Sequence, residues 1–253
     1  MTFIVQKRHN FILDQLDQEE AISIKDLSKM LNASRETIRK DIALLSKEGR
    51  LKQVRGGAIK VQASEAALSE RTDVNPGGKE AIALAVAQLI PDGASLILDS
   101  GTTTLAAAVE IARRCKDISV CTNDVAVAEI LAPIARETLL LGGVYYHAEK
   151  YTLGLDTLEM LGRYRADFSL VGVGGLSDAG LFTDFSREGV ALRDRMIEVA
   201  SRAFLLADFS KIGTLAPVRL TRSAQAERLI TDKKPPDAVF DTLVEQGLIV
   251  QVA

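Results

Sequence analysis

Two groups of residue types in this chain are equipped to meet anions. The first is Ser34, Arg35, Thr37, Arg39 and Lys40, followed after a short interval by Arg55 and Gly56. Hydroxyls and guanidinium groups crowded on so short a stretch suit phosphate oxygens and the edges of bases. The second group is Asp99, Ser100 and Gly101 with Thr102 and Thr103, joined further along by Thr122, Asn123, Gly142, Gly143, Gly174 and Lys211. Where a strand turns into a helix, glycine and hydroxyls present backbone N–H groups and the positive helix end to an anion. Asp99 and Asn123 can hydrogen-bond hydroxyls, and Lys211 can act as a point charge on a phosphate. Together they suit a small phosphorylated polyol or sugar.

The first group needs a helix to hold it. Ser34 is a good N-cap, and Glu36 in the first turn suits the helix dipole. Ile38, Ile42 and Leu45 recur at i, i+4 and i+7, so the helix has an apolar back. Its front carries Glu36, Lys40, Ala43 and Lys47, flanked by Arg39 and Thr37. Upstream, a helix from Arg8 to about Asp17 presents Ile12, Leu13 and Leu16. Ser23 and Asp26 then form a capping-box variant opening a second helix, with Ile24, Leu27 and Leu31 as its stripe. A brief turn between two such helices is the helix-turn-helix arrangement, whose second helix enters the major groove. Gly49 supplies a stop. Residues 51–54 and 58–61 alternate as strands around Arg55-Gly56-Gly57, a wing whose Gly-Gly turn would take positive φ at both glycines and place Arg55 for a minor groove.

The second group needs a sheet. From Lys79 onward, helices alternate with short apolar strands: 95–98, 118–122, 138–141, 168–171, 203–207, 229–231 and 248–252. Helices are expected at 79–90, 105–113, 125–131, 187–201 and about 237–246. This pattern predicts an α/β domain with a largely parallel sheet covered on both faces, whose ligands gather at the carboxyl ends of the strands. The expected division is a DNA-binding domain over 1–61, a linker over 62–78 closed by Asn75-Pro76-Gly77-Gly78, and an effector-sensing domain over 79–253.

Charge agrees with a divided chain. The net charge is −3, yet residues 1–60 hold 12 Lys and Arg against 8 Asp and Glu. The head is therefore +4 and the remainder −7, which permits a nucleic-acid partner for the head alone. No apolar run is long enough to span a membrane, and the N-terminus lacks a secretory pattern. Cys115 and Cys121 lack CxxC spacing, and His9 and His147 stand far apart, so no metal is expected. Ser177 occupies the third glycine position after Gly172 and Gly174, so no dinucleotide cofactor is expected either. A cytoplasmic location follows.

In their order and spacing these pieces resemble the DeoR family of bacterial transcription regulators. The resemblance runs nearly end to end. It rests on Ser34-x-x-Thr37-Ile38-Arg39-x-Asp41, Gly56-Gly57-Ala58, Glu70-Arg71, Asp99-x-Gly101-Thr102-Thr103, Thr122-Asn123, Gly142-Gly143 and Asp208-x-Ser210-Lys211. Within the family, Lys7–Asn10, Thr231-Asp232 before Pro235-Pro236, and Glu188 before Met196-Ile197 look similar to the glycerol-3-phosphate regulon repressor subgroup. The resemblance implies a winged helix-turn-helix joined to a sensor similar in fold to ribose-5-phosphate isomerase. It also implies repression of a carbohydrate operon, release by a phosphorylated effector with glycerol 3-phosphate foremost, and a homodimer or homotetramer. Lys40 stands where the family often has a second arginine, Arg55 where it has histidine, and Ser177 where it often has aspartate.

A second reading is a sugar-phosphate isomerase carrying a basic appendage. Asp99, Glu188 and Lys211 would be its acid–base candidates, although no compact motif places them together.

Overall fold

The structure, a computed structural model, describes residues 3–19, 21–47, 50–60 and 65–253. Gly49 and Val61 lie outside the described residues. The chain forms two compact units, Met1–Ala63 and Ser64–Ala253.

The first unit holds α1 (Phe3–Glu19), β1 (Ala21–Ser23), α2 (Ile24–Met30), α3 (Arg35–Lys47), β2 (Leu51–Val54) and β3 (Gly57–Lys60). The expected stripes meet in one core: Ile12, Leu16, Ile24, Leu27, Ile38, Ile42 and Leu45, closed by Leu51 and Ala58. The strands form an antiparallel sheet in the order β1-β3-β2. β1 has no period-two signal because it is three residues long. The wing turn differs from the expected one. Arg55 and Gly56 form the two-residue loop, with Gly56 at φ 89°, while Gly57 already pairs with Val54 and Ser23. Gly57 is needed for a different reason: a Cβ there would lie 2.2 Å from the Ile22 carbonyl oxygen.

The second unit opens with α4 (Leu68–Asp73) and α5 (Pro76–Leu89). The helix expected from Lys79 thus begins at Pro76, because the fixed φ of proline and its missing N–H suit the first helical position. There follow β4 (Ser95–Leu98), α6 (Thr102–Arg114), β5 (Ile118–Thr122), α7 (Val125–Leu131) and β6 (Ala135–Leu140). A small hairpin, β7 (Val144–Tyr146) with β8 (Tyr151–Leu153), leads to α8 (Leu155–Leu161). Then come β9 (Ala166–Gly172), β10 (Gly175–Leu176), β11 (Phe182–Asp184), α9 (Arg187–Val199) and β12 (Ala200–Leu206). The unit ends with β13 (Val218–Arg219), β14 (Arg228–Thr231), α10 (Asp237–Glu245) and β15 (Ile249–Val252).

Seven of these strands form a parallel sheet in the order β15-β14-β12-β9-β4-β5-β6. Successive strand residues point to opposite faces, so continuous apolar runs feed two cores. Leu96, Leu98, Leu170 and Phe204 meet α5, α6 and α7 on one face, whereas Ile97, Val171 and Leu205 meet α8, α9 and α10 on the other. Chain order runs outward from β4 toward β6 and outward from β9 toward β15. The sheet therefore reverses direction between β4 and β9, and a crevice opens outside the carboxyl ends of those two strands. Among the described residues no helix is long and apolar enough to cross a membrane.

Candidate functional site

In the first unit, Ser34 caps α3: its hydroxyl accepts from the Thr37 N–H at 3.0 Å and lies 2.8 Å from the Thr37 hydroxyl. The preceding turn is fixed by Asn32 at φ 43° and by the Ser28 hydroxyl, which donates to the Ala33 carbonyl at 2.6 Å. With Ile38, Ile42 and Leu45 fully buried, Arg35, Arg39 and Lys40 are exposed, and so are Arg55 and Gly56 in the wing loop. Arg39 pairs with Glu36, both more than half exposed, so solvent screens the pair and a phosphate can replace the carboxylate. Helix α3 is anchored from behind. Asp41 accepts a bidentate pair from Arg8 at 2.6 and 2.9 Å and lies 3.1 Å from His9 Nε2. Burial alone would raise the Asp41 carboxyl, but the bonds from Arg8 and His9 hold it below its ordinary value.

In the second unit, the crevice between β4 and β9 contains two adjoining hollows. Both are lined by Glu65, Arg71, Ser100, Gly101, Asp184 and Arg193. Asp99 and Glu149 belong to one, and Thr102, Thr103, Gly172 and Lys211 to the other. Gly101 sits at φ 121°, where glycine is favoured, and its carbonyl accepts from Leu105 N–H at 2.9 Å to start α6. The first-turn N–H groups of α6 have no intrahelical acceptor and face the site with the positive end of the helix.

Arg193 organises the floor. Its Nε donates to Asp99 Oδ2 at 2.6 Å and a terminal nitrogen lies 3.2 Å from Asp184 Oδ1. The Gly172 N–H donates to the same Asp99 oxygen at 3.1 Å, tying the end of β9 to the end of β4. Burial pushes the Asp99 carboxyl upward against the opposing pull of Arg193. Arg71 closes the other side, paired with Glu149 and with Glu65 at 2.9 Å. Its backbone is held in turn by the buried Lys79, whose ammonium donates to the carbonyls of Arg71 and Val74. Burial lowers the Lys79 pKa. The Lys211 ammonium has no hydrogen-bonded or ion-paired partner among the described residues.

The fold thus gathers Asp99, Ser100, Gly101, Thr102, Thr103 and Lys211. It does not bring the other expected residues into the hollows. Thr122 is buried and accepts from the Asp124 N–H, while Asn123 is buried and donates to the Thr152 carbonyl at 3.0 Å. Gly142 donates to Met160 Sδ, and Gly143 packs against Leu153 and Thr157. Gly174 packs against Asp184 and Phe185. Ser177 closes a turn by accepting from the Ala179 and Leu181 N–H groups. Of the acid–base candidates, Glu188 is exposed and does not line the hollows, and Asp99 is committed to Arg193.

A helix-turn-helix unit with a wing, followed by a parallel α/β unit with a polar crevice at its switch point, defines a DNA-binding regulator with a sensor domain. The DeoR-like helix-turn-helix domain matches residues 8–63 and the DeoR C terminal sensor domain matches residues 74–233. The chain belongs to the DeoR family and is a transcription regulator, not an enzyme. It is 32% identical to the uncharacterized HTH-type transcriptional regulator FruR of Bacillus subtilis, over 97% of this chain and 98% of that one. It is 28% identical to the glycerol-3-phosphate regulon repressor of Escherichia coli, again over 97% and 98%. Among solved structures it is similar to ribose 5-phosphate isomerase A of Methanocaldococcus jannaschii at 14% identity and TM-score 0.39, over 55% of each chain.

Proposed function

We propose that this regulator represses a carbohydrate or polyol operon in the cytoplasm, as a homodimer or homotetramer, and leaves its operator when a phosphorylated sugar or polyol binds. Ser34, Arg35, Thr37, Arg39 and Lys40 meet the major groove and its phosphates, and Arg55 and Gly56 enter the neighbouring minor groove. The observation that carries the effector reading is the crevice itself. It joins the N-terminus of α6, the hydroxyls of Ser100, Thr102 and Thr103, and the uncommitted ammonium of Lys211. These groups hold the phosphate, and Asp99 accepts from an effector hydroxyl with its remaining lone pairs. Thr122, Asn123, Gly142, Gly143 and Gly174 act one layer behind, by shaping the loops. Glycerol 3-phosphate is the first effector to try, in keeping with the name of one relative.

Calorimetric titration of the full chain with glycerol 3-phosphate and a panel of sugar phosphates, each beside its unphosphorylated form, tests this. Binding of one phosphorylated compound, weakened at least tenfold by Lys211→Ala, is expected. Equal binding of the unphosphorylated form, or indifference to Lys211→Ala, contradicts the assignment.

A further inference from the structure

The crevice carries a charge balance that does not suit a phosphate as it stands. Its cations are Arg71, Arg193 and Lys211, set against the carboxylates of Glu65, Asp99, Glu149 and Asp184. Asp99 and Asp184 are held by Arg193, and Glu65 and Glu149 by Arg71. A dianion entering this set meets net negative charge in a poorly solvated space, which opposes its binding unless one carboxylate leaves.

The four carboxylates are not equally fixed. Asp99 follows β4 and Asp184 ends β11, both nearly fully buried. Glu149 sits in the β7–β8 turn, where its N–H and that of Lys150 donate to the Tyr146 carbonyl at 3.1 and 2.8 Å. Glu65 is carried on residues 65–67, which have no regular structure and precede α4, just after the boundary between the two units. Its carboxylate reaches Arg71 at 2.9 Å. Burial disfavours its charged form there, with Asp184 adding repulsion.

We propose that Glu65 is a resident anion, its carboxylate held by Arg71 in the same hollow that Thr102, Thr103 and Lys211 line, so that it occupies part of the place an effector phosphate takes there, and that effector binding expels it. This rests on the sensor reading above and adds its regulation. Residues 65–67 are then a strap, docked on the crevice when no effector is present and released when phosphate replaces Glu65, while α4 and the bonds from Lys79 keep Arg71 in place. Because the strap continues directly into the chain of the DNA-binding unit, release alters the tether of that unit. The coupling has the required form, since the effector binds the released state and competes with the docked one. If the strap is docked about nine-tenths of the time, removing Glu65 tightens phosphate binding about tenfold.

The test uses the full chain as wild type, Glu65→Gln and Glu65→Ala, with inorganic phosphate and glycerol 3-phosphate as probes. Calorimetry reads affinity, and hydrogen–deuterium exchange reads residues 65–67. Either probe is expected to raise exchange at 65–67 in the wild type. Glu65→Ala is expected to show raised exchange without any probe, to bind the probes about tenfold more tightly, and to lose operator affinity at least fivefold when unliganded. Wild-type binding with unchanged or greater protection of 65–67 overturns the displacement while leaving the phosphate site standing. So does an affinity in Glu65→Ala and Glu65→Gln equal to that of the wild type. Failure of every variant to bind any phosphorylated probe overturns the sensor reading and the strap with it.

Discussion

Replacing Arg193 with methionine isolates the electrostatic frame of the crevice. The substitution keeps an unbranched apolar side chain on α9 but leaves Asp99 and Asp184, whose side chains are 2% and 5% exposed, without their shared cation. Breaking a buried pair by removing one partner costs about 3–5 kcal/mol. Removing Arg193 takes away the pull that opposes burial, so the Asp99 carboxyl rises further than in the wild type. The sign follows from linkage. In the variant the folded-state pKa of Asp99 is raised above its unfolded value, so the folded state binds the extra proton. The deficit therefore grows as pH rises toward the variant's folded-state value and shrinks, by up to about 1.4 kcal/mol per unit, as pH falls. The assay is convenient, because the chain has no tryptophan and its four tyrosines, 145, 146, 151 and 164, all lie in the second unit. Urea unfolding followed by tyrosine fluorescence at pH 5, 6 and 7 thus reports that unit alone. Adding Asp99→Asn to Arg193→Met is expected to recover at least half the loss and flatten its pH dependence. A deficit below about 1 kcal/mol, or one independent of pH, would refute the argument by reducing Arg193 to a packing residue.

Three further perturbations separate the parts. Arg39→Ala is expected to cost about 1–3 kcal/mol of DNA affinity while leaving effector titrations unchanged; equal loss of both would contradict the division of labour. Gly57→Ala forces a Cβ to within 2.2 Å of the Ile22 carbonyl, so β3 must move from β1. Operator affinity should fall severalfold in anisotropy while the tyrosine-monitored transition stays put. Asp41→Asn removes a carboxylate whose folded pKa is lowered, so its contribution is present above about pH 4 and vanishes as pH falls below that value. Urea unfolding by circular dichroism should show a loss of about 1–3 kcal/mol at neutral pH that narrows as pH falls below about 4.

Much of this arrangement was legible in the sequence because it is local. The stripe Ile38, Ile42, Leu45 fixes which face of α3 is exposed, and unbroken apolar runs such as 95–98 mark buried parallel strands. Asp99–Thr103 and Lys211 were readable because they sit at strand ends, where the switch-point geometry assembles ligands. The charge frame was not readable, since it depends on partners distant in sequence: Asp99 and Arg193 are 94 residues apart, Arg71 and Glu149 are 78 apart. One signal was available for Arg193. It lies on the helical face shared by Val190, Met196 and Ile197, and an arginine on an otherwise apolar stripe requires buried carboxylates to meet it. Arg71 was visible only as half of the Glu70-Arg71 motif, with no indication that it faced Glu65 and Glu149. Strand ends such as Thr122-Asn123 and Gly142-Gly143 looked equivalent to Asp99–Thr103 in composition. The sheet order separates them, because they follow β5 and β6, away from the reversal between β4 and β9.

The central claim is that one unit holds operator DNA and the other releases it on sensing a phosphorylated compound. Fluorescence anisotropy on DNA from upstream of its own gene tests it most directly, with a salt series and each effector beside its unphosphorylated form. The account predicts sequence-preferring binding that weakens steeply with salt and is relieved by one phosphorylated compound but not by its parent. Binding that no phosphorylated compound relieves, or no binding at low salt, would contradict it.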